Sequence, residues 1–195
     1  RVRRYSWVFF LVVIVVLVVV TVGYFWQDRQ SRITSAKASE LSSAIALAET
    51  DPAAAKEQLA ALAADPSNGN SVLAGFESAE LSLREGDEAG AVAALEALAS
   101  VREGDAYAKA ATIFSVYTAI NSGDAATLLG KLDPLIGEDG VFTELALELK
   151  AQVLARDGKG AEALAVLETL LEREGLERDL QTRAETLRDS LGSGS

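Results

Sequence analysis

The chain lacks cysteine, histidine and methionine altogether, and it has only three prolines among its 195 residues. Without Cys there is no disulfide framework, no thiolate nucleophile, no iron–sulfur cluster and no zinc site of the usual nitrogen and sulfur kind. Without His, the commonest proton shuttle near neutral pH is missing, and with it every Ser-His or Cys-His catalytic unit. Chemistry would have to come from carboxylates, Lys, Ser or Tyr. The missing Met leads us to expect that translation starts upstream of Arg1. Aromatic residues make up only 6% of the chain, and that scarcity makes the position of each one informative.

What is present divides into two compositions. From Tyr5 to Trp26 no residue is charged, and Val8 to Val20 is wholly apolar. A helix over those 22 residues spans about 33 Å, enough for a hydrocarbon core of about 30 Å. Nine of the residues are Val. In water that would favour a strand, but a lone strand in lipid leaves its amides unpaired, so the expectation is a transmembrane helix. Tyr5 and Trp7 at one end, and Tyr24, Phe25 and Trp26 at the other, suit interfacial belts. A cleaved signal peptide is the rival reading. Its apolar core would be shorter, and a small-residue cleavage site rather than bulky aromatics would follow. Arg1, Arg3 and Arg4 precede the span, which predicts a cytoplasmic N-terminus and a C-terminal domain on the far side, the periplasm of a bacterial inner membrane. Arg29 and Arg32 after the span weaken that asymmetry.

The remainder is acidic and rich in helix formers. Setting aside the five arginines and one aspartate before Ile33 leaves 13 basic and 28 acidic residues, a formal charge of −15. Phosphate backbones and anionic headgroups repel such a domain, so neither nucleic acid nor polybasic membrane docking is expected. Ala alone accounts for 34 residues, and period-2 alternation is scarce after residue 30, which predicts an all-α fold. Gln30 to Glu49 carries Ile33, Ala36, Leu41, Ala44, Ile45 and Ala48 as a stripe, read as a stalk continuing the span outward. Asp51-Pro52 starts a helix that ends at Asp65-Pro66-Ser67-Asn68-Gly69-Asn70. Helices then follow from Ser71 to Gly86, from Asp87, over Ala106–Asn121, from Asp124 to an interruption at Pro134, over Val141–Arg156, over Lys159–Glu174 and over Leu176–Leu191. The organisation read from this is a basic flank (1–4), the span (5–26), a stalk with the first hairpin (27–70), helical repeats (71–191) and a tail (192–195).

The breaks are periodic. Gly86, Gly123 and Gly158 are 37 and 35 residues apart, each between two helices. Five residues after each comes Ala91, Leu128 or Ala163, and nine after comes Leu95, Leu132 or Leu167. Residues four apart share a helix face, so these pairs predict the seam where the second helix of a hairpin packs on the first. The spacing approaches the 34-residue period of tetratricopeptide repeats and favours a solenoid of degenerate hairpins over a plain antiparallel bundle.

The Arg-rich start, the span ending in Tyr24-Phe25-Trp26-Gln27, the stalk with Ala36 to Glu40 and the weak hairpins together resemble a known family. Phe142 to Lys150, Asp157-Gly158-Lys159, Ala163-Leu164 and the closing Leu180–Leu191 segment with Arg183-Ala184-Glu185 and Leu187 share that likeness. It is to the membrane-anchored, tetratricopeptide-repeat-like proteins typified by the ancillary subunit of the bacterial Sec translocon. The resemblance implies a periplasmic scaffold linking the translocon to periplasmic chaperones.

The search for chemistry finds little. Glu144 with Glu148, and Glu138 with Asp139, could pair for acid–base work, but 28 acids on helices make such pairs commonplace on a solvated face. Gly158-Lys159-Gly160 mimics a dinucleotide fingerprint but follows a helix rather than a strand. Asp65, Ser67 and Asn68 could offer oxygen ligands, although a capped turn explains them better. No enzyme, cofactor or metal is expected. Phe76, Tyr107, Phe114, Tyr117 and Phe142 all fall on first helices of hairpins, where either core packing or a partner-binding groove would place them. The expected function is a membrane-anchored scaffold that binds protein partners. The alternative is an accessory subunit of a larger inner-membrane complex, such as a respiratory or photosynthetic one, held by its span.

Overall fold

A computed structural model describes residues 39–137 and 141–193. The expected span and stalk start, with Tyr5, Trp7, Tyr24, Phe25 and Trp26, lie outside the described residues, as do Glu138, Asp139 and the last two residues. Among the described residues no helix is long and apolar enough to cross a membrane. The chain divides into two units at Ser43, and the account below concerns the second, from Ala44 onward.

Eight helices follow the helical segment 39–47 among the described residues: α1 (Pro52–Ala63), α2 (Ser71–Arg84), α3 (Glu88–Val101), α4 (Ala106–Thr118), α5 (Ala125–Ile136), α6 (Val141–Arg156), α7 (Gly160–Leu171) and α8 (Arg178–Gly192). Four of them begin on an aspartate whose carboxylate accepts otherwise orphaned N–H groups of the first turn. Asp51 takes Ala54 N–H at 3.1 Å, Asp87 takes Gly90 N–H at 2.8 Å, Asp105 takes Tyr107 and Ala108 N–H at 2.8 and 3.0 Å, and Asp124 takes Thr127 N–H at 2.9 Å. Pro52 at the first helical position of α1 forfeits no intrahelical bond. Among the described residues no strand is found.

From α1 to α8 each helix packs on its neighbours in sequence, and α4 and α8 also lean on α6, the first helix of the third hairpin. Each hairpin thus contributes one helix to a row of first helices (α2, α4, α6) and one to a row of second helices (α3, α5, α7). The seam residues Ala91, Leu95, Leu128, Leu132, Ala163 and Leu167 are all buried. Three further repeat positions emerge from the packing: Ala79, Val116 and Ala151 seven residues before each turn glycine, Ser82, Ala119 and Leu154 four before, and Leu98, Leu135 and Leu170 twelve after, all buried. The first helix of each hairpin carries a small or branched residue twice in succession, one turn apart, and the second helix answers with leucine. Among the described residues, three buried clusters built from these contacts follow the hairpins along the chain.

Several local expectations change. The segment 30–49 is described as helical only over 39–47, and Ala48 falls in the turn that follows. The helix expected over Ala106–Asn121 stops at Thr118. The one starting at Lys159 begins instead at Gly160, with Lys159 as its N-cap, and ends at Leu171 rather than Glu174. The last helix runs Arg178–Gly192 rather than Leu176–Leu191. Pro134 does not interrupt α5, which continues to Ile136. It sits in the last turn, where it is exposed and forfeits only the one bond to the Gly130 carbonyl, with two residues left to follow it in the helix. Gly123 differs from its two counterparts. Gly86 and Gly158 have φ of +77°, the left-handed conformation that favours glycine, whereas Gly123 does not. There a side chain is disfavoured by crowding: a Cβ would lie 3.2 Å from both δ-methyls of Leu128 and 3.0 Å from the Ala119 carbonyl. The middle hairpin therefore accommodates Leu where the others have Ala because its turn glycine vacates the space.

Candidate protein-binding face

Among the described residues, all the exposed large hydrophobic side chains but Ile45, on the segment 39–47, lie on the row of first helices. These are Leu73 and Leu83 on α2, and Tyr107, Phe114 and Tyr117 on α4. The core reading of the α4 aromatics is corrected by their exposure: 50% for Tyr107, 53% for Phe114 and 64% for Tyr117. The stripe exists, but Ala111, Ile113, Ser115 and Val116 occupy the buried side of α4 and turn the aromatics outward. Phe76 and Phe142 are half-buried and pack against the first and second clusters respectively.

The α2 and α4 stripes meet. Phe76 and Phe114 stack edge-to-face with ring centroids 5.8 Å apart, a favoured aromatic geometry. At the start of α4, Asp105 has two tasks: its Oδ1 caps the helix, and its Oδ2 accepts the Arg102 Nε–H at 2.7 Å. The guanidinium so held lies 5.6 Å from the Tyr107 ring centroid, a cation–π contact that orients the ring. The Asp105 carboxyl is partly desolvated, which raises its pKa, but the Ala108 N–H and Arg102 outweigh this and leave it below the usual carboxylate range.

On α2 the exposed stripe interleaves carboxylates with apolar side chains. Glu77 follows Leu73 by one turn and Glu80 follows Phe76 by one turn, and neither forms an ion pair among the described residues. Of the neighbouring arginines, Arg102 is held by Asp105 at 2.7 Å, whereas Arg84 is exposed and only approaches Glu49, at 3.9 Å. Beyond α4 the face changes character. On α6, Glu148 is buried and accepts two bonds from Arg183 of α8, at 2.6 and 2.9 Å, while Glu144 lies 3.7 Å from Arg173. The carboxylate pair considered for catalysis is thus split between Arg183 on the C-terminal helix and Arg173 in the turn before it.

Two concavities lie elsewhere. An apolar cleft among α1, α2 and α3, lined by Ala60, Ala63, Gly75, Ser78, Ala94 and Val101, has a volume of about 80 Å³. Ligand pockets ordinarily measure about 300–1,000 Å³. A shallow depression between α3 and the end of α4 is rimmed by Glu88 and Glu96, already bonded to Ser122 and Lys131. Among the described residues no group of three potential metal ligands converges. Asp65 accepts from Ser67 N–H at 2.9 Å and from its hydroxyl at 2.5 Å, and Asn68 accepts from Asn70 N–H at 3.0 Å, so both side chains close turns of that loop. Gly158-Lys159-Gly160 is a left-handed turn with Lys159 paired to Asp157 at 2.7 Å.

Neither a curated protein nor a solved structure matches the chain. The family model described as a tetratricopeptide repeat-like domain matches residues 3–185. Hairpins that repeat around Gly86, Gly123 and Gly158 and match that family over nearly the whole chain place this protein in the tetratricopeptide repeat-like domain family.

Proposed function

We propose that this protein is a membrane-anchored scaffold whose helical hairpins capture a protein partner on the face carried by α2 and α4. The observation that carries the reading is the outward placement of Tyr107, Phe114 and Tyr117 beside Leu73 and Phe76. Contiguous apolar surface is costly to leave in water, and aromatic side chains at the centre of such a patch are the usual anchors of an interface. The uncharged stretch Tyr5–Trp26 supports a single bilayer span, and Arg1, Arg3 and Arg4 support a periplasmic domain. The likeness to the ancillary subunit of the Sec translocon supports a role between a translocon and periplasmic chaperones.

The test is photocrosslinking in intact cells from a photoreactive phenylalanine analogue at position 117, with the same analogue at Thr169 on α7 as the control. Adducts from position 117 that are absent from 169 and lost on Phe114→Ala are expected, and translocon or chaperone subunits should be among them. Equal adducts from both positions would overturn the assignment of the face. A protease added outside spheroplasts should digest the domain, and full protection would overturn its periplasmic placement.

A further inference from the structure

The binding face is chemically lopsided, and the asymmetry bears on what it accepts. The α4 stripe of Ala110, Phe114, Tyr117 and Thr118 carries no charge, while the adjoining α2 stripe carries Glu77 and Glu80 among exposed apolar side chains. No ion pair reaches either carboxylate among the described residues: Arg102 is held by Asp105 at 2.7 Å, and Arg84, one turn beyond Glu80, is exposed and only approaches Glu49, at 3.9 Å. The surrounding domain has a formal charge of −15.

Resting on the reading of this face as the binding site, we propose that its partner is a cationic apolar peptide segment: aliphatic or aromatic anchors over Phe114 and Tyr117, with Lys or Arg one helical turn away, set against Glu77 and Glu80. The acidic field of the domain raises the encounter rate with such a segment, and the two carboxylates fix its register. An acidic segment would bring like charges against unpaired carboxylates on a half-desolvated surface. A second copy of the chain is disfavoured by the same feature, because a two-fold interface centred here would face Glu77 and Glu80 with their own equivalents.

A random decapeptide library on beads, panned with the full-length protein in detergent micelles, tests this. The pool retained by the wild type but not by Phe114→Ala/Tyr117→Ala should be enriched in Lys and Arg over Asp and Glu by about fivefold, the worth of two surface charge contacts. The enrichment should vanish for Glu77→Gln/Glu80→Gln and at high salt. Retention that needs the aromatics but shows no cationic preference overturns the proposal and leaves the face standing. Retention indifferent to both aromatics overturns the face as well. If the wild type retains nothing and sediments as a dimer that Tyr117→Ala dissociates, the occupant is a second copy and the proposal falls.

Discussion

Ala163 has no solvent exposure, and its methyl is what lets α7 approach α6. The equivalent position in the middle hairpin holds Leu128, so the site can take a larger side chain, but only where a glycine yields. Gly123 makes that room, whereas Gly158 faces open space and has nothing to give. Ala163→Leu should therefore overpack the third hairpin and cost about 1–3 kcal/mol, read from the midpoint of urea unfolding. An unchanged midpoint would mean that the helices do not meet closely at this residue. The contrast between positions 128 and 163 also shows how little a repeat alignment says by itself about tolerance: both have glycine five places upstream, and the conformation and placement of that glycine decide it.

At the scale of the element, α5 depends on its first residue. Asp124 accepts the Thr127 backbone N–H at 2.9 Å and its hydroxyl at 2.8 Å, and these two bonds, helped by Arg156 and opposed by slight desolvation, hold its carboxyl below the usual carboxylate range. A depressed folded-state pKa contributes stability that is present above the unfolded value of about 4 and is lost as pH falls through the lower, folded value. Asp124→Asn keeps an acceptor oxygen but not the charge. Wild type should melt higher than Asp124→Asn at pH 5 to 7, and the gap should close on acidification below about pH 4. A gap independent of pH would assign the cap's contribution to hydrogen bonding alone. Much of this was legible beforehand, since Asp51, Asp87, Asp105 and Asp124 each announce a helix. The helix ends were not: α4 stops at Thr118 rather than Asn121 because α5 must begin at Ala125, and the loop is bound at Ile120 and Gly123 by Arg156, a residue 33 positions beyond the glycine.

For the molecule as a whole, the array must end without an open apolar face. Helix α8 does this by burying Leu180 and Ala184 against Leu147, Ala151, Leu167 and Leu170. Arg183 ties the same helix to the buried Glu148 through two short bonds. Arg183→Ala would leave a buried carboxylate without its counter-charge and should destabilise the domain by about 1–3 kcal/mol. Glu148→Gln added to that variant should restore part of the loss, which separates the charge effect from lost packing. Equal stability of all three proteins would show that the apolar contacts alone close the array.

Composition and spacing determined the class of this protein: helix formers without alternation dictate helices, aspartates begin them, and glycines about 36 residues apart dictate hairpins that stack. These are local or periodic properties, and each residue carries its share of them. Tertiary structure alone decided which side of α4 faces water. Tyr107, Phe114 and Tyr117 lie on a stripe that would suit a core, but Ala111, Ile113, Ser115 and Val116 line the broad remainder of the same helix, and that face packs inward. Small and branched side chains let neighbouring helices approach, so that face was buried, and the bulkier aromatics were left outside.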